Sequence, residues 1–286
     1  MDISFLSIFI FIIITLIYYN VSSLGKTHLL YENLIKPDGY NLYLQENRTR
    51  MGLYFLAIVV SQFLLNSLYL INKCGGDAGK NVGAAALFTF IPWVFIFGIL
   101  IIILILFPGF KNAFSNVIGY FFVANGANNL LSKILINSDI QSSLNNIQQS
   151  NDNSETKNQL EKTSEAIMKI FGNKSLLINI INPENFLDSI NILTPLMKNE
   201  YKNDNKVFQE LLDLVMLKDN IGEAMWYVYS ALLIISIVYY NLATRGCIKS
   251  VDSIKNDYNK YLEEQEQKEK QKELAESTVY TINPPS

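Results

Sequence analysis

The residue types that catalysis most often recruits are scarce in this 286-residue chain, which has one histidine and two cysteines. His28 stands alone, so neither a multi-histidine metal site nor a histidine relay can be assembled. Beside an apolar run it reads as a surface residue. Cys74 and Cys247 each lie just outside an apolar run, which leaves a disulfide, juxtamembrane acylation or unmodified thiols open. The stretch GGDAGKN around Lys80 superficially resembles a phosphate loop. That motif needs a glycine five positions before its Gly-Lys glycine and a Ser or Thr after the lysine. Those places hold Cys74 and Asn81, so a Gly-rich turn is the better reading. Sequons occur at Asn20, Asn47 and Asn173, the first too close to an apolar run to be a good acceptor. No acid–base pair, nucleophile with a neighbouring base, or cofactor fingerprint is evident. The expectation is a protein that is not an enzyme and takes no cofactor or metal.

The elements that would carry these residues follow from where the charges lie. Half of the residues are hydrophobic, 17% are charged and the net charge is −3, which gives no sign of nucleic-acid binding. Segments 3–25, 51–72, 81–110 and 224–244 contain no Asp, Glu, Lys or Arg. About 20 uncharged, mostly apolar residues let a helix cross roughly 30 Å of hydrocarbon. One soluble core is therefore excluded. The fold class is all-α: a multi-span helical membrane protein with a small helical extramembrane insert and a helical C-terminal tail. Spans empty of ionisable groups argue against ion-coupled transport and leave a passive pore open.

Residues 1–25 hold the first span, read as a retained anchor because no basic n-region or nearby small-x-small site marks a signal peptide. Residues 26–50 read as a loop. In the second span, 51–72, Gln62 and Asn66 lie four apart and share one helical face. An amide in lipid needs a partner, so they form an interhelical polar face. In the third span, 82–107, Pro92 either kinks the helix or starts its main segment. The last span, 224–244, carries Trp226, Tyr227 and Tyr229 at one end and Tyr239 and Tyr240 near the other, an aromatic belt.

Residues 112–136 are ambiguous. Asn125, Gly126, Asn128 and Asn129 interrupt their apolar middle, so an interfacial, re-entrant or fifth spanning segment are the options. With four crossings, six basic residues fall on one side (Lys26, Lys36, Arg48, Arg50, Lys111, Lys218) and six on the other (Lys73, Lys80, Arg245, Lys249, Lys255, Lys260). Five crossings move the tail to the first side and add Lys133 to the second, making nine against four. Charge bias thus favours five spans, and hydropathy favours four because of the central amides. Four is preferred.

Outside the spans, residues 137–219 form a polar, Asn-rich helical insert. Leu160, Ile167, Ile170 and Phe171 recur at helical spacing before Gly172, and Thr194-Pro195 reads as a helix start. Val207, Phe208, Leu211, Leu212 and Val215 share a face. The tail, 245–286, places Ile248, Val251, Ile254, Tyr258 and Tyr261 on one stripe, then becomes charged with i,i+4 pairs such as Glu264–Lys268. It reads as a coiled-coil or docking stripe, or as a solvated helix, with a disordered end.

One stretch resembles a family. Phe107, Pro108, Gly109, Phe110 and Lys111, followed by Phe114, Ser115, Asn116, Gly119 and Tyr120, are similar to a segment of integral membrane proteins of large nucleocytoplasmic DNA viruses. There a long apolar helix leads into an FPG-aromatic-Lys turn and then a Phe-Ser-Asn…Gly-Tyr segment. The resemblance spans about residues 50–135. It implies a structural virion component in the internal lipid membrane, bound to capsid or core proteins through its insert and tail, with homo-oligomers open. The alternatives are an oligomeric channel with Gln62 and Asn66 on a wet path, or a component that remodels host membranes.

Overall fold

The structure is a computed structural model and describes residues 3–74, 78–135, 174–247 and 251–277. The expected helix around Leu160–Phe171, the first half of the Gly-rich turn, Asn173, Ile248 and the disordered end lie outside these residues.

Helix α1 covers Ile3–Asn20 and α2 is a single turn, Tyr31–Leu34. Helix α3 runs from Gly39 to Cys74, and α4 from Ala78 to Pro92. A π-helical turn, Trp93–Gly98, joins α4 to α5, Ile99–Leu106. After a 3-10 turn at Pro108–Lys111 come α6 (Asn112–Phe114), a second π turn (Ser115–Gly119) and α7 (Tyr120–Ile134). A 3-10 turn at Lys174–Asn179, helix α8 (Phe186–Leu193), the 40-residue α9 (Asn205–Thr244) and α10 (Val251–Ser277) complete the order. No strand occurs among the described residues, only a bridge between Leu135 and Met197. The protein is all-α, and four helical stretches are long and apolar enough to cross a membrane: Ile3–Asn20, Gly39–Cys74, Asn81–Leu106 and Asn205–Thr244.

Several boundaries differ from the sequence reading. Residues 26–50 are not simply a loop: α2 and the first three turns of α3 occupy much of them. The uncharged run begins at Met51, but Tyr43 and Asn47 bury themselves against the rest of the fold while Glu46 and Arg50 pair on the open face, so the helix starts earlier. Pro92 does not start the third span. The helix passes through it and widens into a π turn directly after it. The insert's last helix and the final span are one element, capped by the Asp204 carboxylate on the Lys206 amide. Thr194-Pro195 begins only a 3-10 turn, Thr194–Leu196.

Residues 112–134 pack lengthwise on the first half of α9. A Cβ at Gly119 would meet the Lys218 carbonyl at 2.5 Å, and one at Gly222 would meet the Ser115 side chain at 2.6 Å. Only glycine lets the two backbones approach so closely. This packing sets the segment along α9, and it is not among the four stretches long and apolar enough to cross a membrane.

Two cores result. In the spans, Phe11, Tyr54, Trp93, Phe97 and Tyr227 interlock as aromatic pairs with centroids 5.3–6.4 Å apart. The second core gathers α2, the start of α3, α7, α8 and the first half of α9 around Phe186, Leu131 and Leu211. At the far end of the spans, Cys74 and Cys247 are joined in a disulfide with Cα atoms 5.1 Å apart. Lys73 donates there to the Leu242 and Ala243 carbonyls, capping α9. The second and fourth spans therefore end on the same side, opposite the second core.

Candidate functional site

The spans place a cluster of charges where they meet the extramembrane domain. Lys26 follows α1, Lys111 follows the third span, and Asp219 and Glu223 lie on α9 just before it enters the apolar bundle. The Lys26 ammonium is 3.0 Å from Glu223 Oε2, and Lys111 Nζ is 3.1 Å from both Glu223 Oε2 and Asp219 Oδ2. The other Glu223 oxygen accepts from the Tyr19 hydroxyl at 3.0 Å and the Tyr227 hydroxyl at 3.2 Å. Glu223 is 1% exposed, so each of these bonds replaces water that it has lost. One residue joins three spans.

Burial alone would raise the Glu223 carboxyl, but the two lysines overcome it and hold it down to about 2. Burial would likewise lower Lys111, but Glu223 and Asp219 reverse that and raise it above the ordinary lysine value. Both groups keep their charge across the physiological range. A general acid or base needs a pKa near the working pH, so this arrangement suits a fixed ionic joint rather than proton transfer. A cavity of about 80 Å³ adjoins it, lined by Lys26, Tyr43, Arg48, Lys111, Asp219 and Glu223 among others. Among the described residues no group of three His, Cys, Asp or Glu could hold a metal ion.

A second buried charge lies one turn away. Lys218 is 0% exposed, and its ammonium donates to the Ile178 and Ile181 carbonyls at 2.7 and 3.1 Å and to Asn116 Oδ1 at 3.1 Å. Burial pushes it down to about 8, with Asp219 opposing. It ties the 174–181 segment to α9.

The stretch Phe107–Tyr120 contributes Lys111 to this joint and packs beside it. Phe107 ends the third span, Pro108 opens the 3-10 turn and Lys111 enters the ionic cluster. The Phe110 carbonyl accepts from the Trp226 indole at 2.9 Å, and the Phe114 ring meets Trp226 edge-on at 4.9 Å. Ser115 and Gly119 lie against α9, Asn116 accepts from Lys218, and the Tyr120 hydroxyl is 2.7 Å from Ser175 Oγ. Gly109 has open space where a side chain would project.

The other singled-out residues lie elsewhere. Gln62 donates to the Ser7 carbonyl of α1 at 2.9 Å, and Asn66 donates to Thr89 of α4 at 2.8 Å, both buried. His28 is exposed and 3.2 Å from Asp213. Asn47 is buried, its amide nitrogen donating to Thr27 and to the Tyr43 carbonyl, so this sequon has no free acceptor. Sequence reasoning did not single out Lys26, Asp219, Lys218 or Glu223 as a site. The signal was there: in a four-span topology Lys26, Lys111 and Glu223 border three different spans on one side. Comparison with protein-family models, curated proteins and solved structures gives no match.

Proposed function

We propose that this is a structural integral membrane protein of a large DNA virus particle, linking the internal lipid membrane to capsid or core proteins. The observation that carries the reading is mechanical. One unbroken helix, α9, runs from the extramembrane domain through the bundle, and the buried Lys26–Glu223–Lys111 joint fastens it where the two parts meet. A force on the domain reaches the spans without passing through a flexible linker. The tail helix α10, with most of its side chains exposed, offers a second docking element on the disulfide side. The resemblance of the stretch Phe107–Tyr120 to membrane proteins of large DNA viruses is what suggests the virion, and this stretch supplies Lys111 to the joint.

Proteomics of purified particles with membrane extraction, followed by cross-linking to capsid and core proteins, tests the proposal. Recovery in the membrane fraction with cross-links from the domain or tail is expected; absence from particles overturns it. The pore alternative finds Gln62 and Asn66 already bonded to Ser7 and Thr89, beside a cavity of about 10 Å³.

A further inference from the structure

The apolar surface of the molecule does not stop at one height. Beside α1 and α3 charges begin at Arg50, whose guanidinium donates to the Gly25 carbonyl, one residue from Lys26 and its partner Glu223. The exposed Ile35 and Leu42 beyond it lie among the exposed Lys36, Asp38 and Glu46. Beside α7 the apolar surface continues. Phe107 and Phe110 are exposed at the end of the third span, and above them Val117, Phe121 and Phe122 are 67%, 81% and 65% exposed. The next outward residues of α7 are the exposed amides Asn125, Asn128 and Asn129.

Helix α9 shows the same change independently. Leu217 is 47% exposed, and one and two turns further from the membrane the same face carries Asp213 and Glu210. Gly119 lies against Lys218 and Gly126 against Leu214, which sets Phe122 beside this part of α9. Two neighbouring helices thus turn from apolar to polar at one level. That level lies six to ten residues beyond Glu223, about 9–15 Å along α9 at about 1.5 Å per residue. The intervening charges, Lys218 and Asp219, are buried, so the outer face between the two levels exposes none.

We propose that the lipid leaflet on the domain side covers this shoulder. The first two turns of α7 are immersed beside the spans, and the bilayer surface runs aslant across the molecule. Continuity with the lipid-facing surface at Leu106 and Phe107 favours lipid as the occupant. A tilted bundle meets a slanted boundary at small cost, because mismatch is readily absorbed by tilt.

The test is nitroxide labelling of the full chain in phosphatidylcholine vesicles, since the native cysteines are joined and take no label. Phe121→Cys and Phe122→Cys are compared with Asn128→Cys, with Leu232→Cys as the lipid reference and Leu42→Cys as the aqueous one. All five positions are exposed. The oxygen-to-nickel accessibility ratios at 121 and 122 are expected to shift to the Leu232 value, while position 128 matches Leu42. Ratios at 121 and 122 equal to that of Leu42 overturn the proposal. So does protection from both reagents with spin–spin broadening that vanishes on dilution with unlabelled protein, which would assign the shoulder to a second copy of this chain.

Discussion

The bundle and the extramembrane domain are held together by different physics, although α9 runs through both. In the domain, burial of Phe186, Leu131 and Leu211 removes apolar surface from water. In the bundle, lipid tails are as apolar as the side chains, so association rests on close packing and on a few buried polar bonds. Those bonds include Gln62 to Ser7, Asn66 to Thr89 and the Thr15–Tyr54 hydroxyl pair at 2.9 Å. Full charges gather at the border. There neither mechanism is complete, and a buried ion stays only when it is matched.

The largest effect is therefore expected at the border. Glu223→Ala leaves Lys26 and two tyrosine hydroxyls without their acceptor and Lys111 with Asp219 alone, and should destabilise the protein by about 3–5 kcal/mol. Glu223→Gln, which keeps an acceptor for the hydroxyls, should cost less. Thermal unfolding in detergent, with protease sensitivity of the domain as a second readout, checks both; equal stability of the alanine variant would show that the joint is dispensable.

A paired truncation tests the comparison directly. Phe186→Ala should cost about 3 kcal/mol, since it loses both transfer from water and packing. Phe97→Ala, equally buried, should cost less because its unfolded reference is lipid. Steric-trap unfolding of both variants in bilayers compares them, and equal losses would erase the distinction.

The next effect depends on pH. Below about 8, Lys218 is protonated in both folded and unfolded chains, and the fold bears the whole cost of the buried charge. Between 8 and about 10 only the unfolded chain holds that proton, so stability should rise with pH. Above about 10, Tyr40 and Tyr43, pushed up by burial, stay neutral while their unfolded counterparts ionise, and the trend should reverse. Apparent Tm measured from pH 8 to 10 should climb in the natural chain and stay flat in Lys218→Met.

Smallest of all, Gln62→Leu should cost about 0.6 kcal/mol, the typical value of an interhelical hydrogen bond in a membrane. A much larger loss would mean that the bundle depends on its amides more than on its packing.

Much of the fold was legible because hydropathy reports where lipid is. The four spans, the interhelical placement of Gln62 and Asn66, and the common side of Cys74 and Cys247 follow from uncharged runs and helical periodicity; that the two cysteines meet does not. The charged extension of α3 and the continuity of the Val207–Val215 helix with the last span were not legible, because a helix that leaves the membrane loses its hydropathy signal while keeping its backbone bonds. The fate of residues 112–134 was hidden for another reason. Gly119 and Gly222 act by letting backbones approach, and nothing in a single sequence says which helix a glycine will meet.

The disulfide gives the tail a fixed origin. Cys247 is bound to the end of the second span only four residues before α10 begins, and α10 then continues for 27 residues, about 40 Å. Under the proposed docking role, α10 would act as a gauge: the residue count between Val251 and Ser277 would set how far along it a bound partner is held. Inserting seven residues near its middle, two turns, would lengthen the gauge by about 10 Å while nearly preserving which face points where.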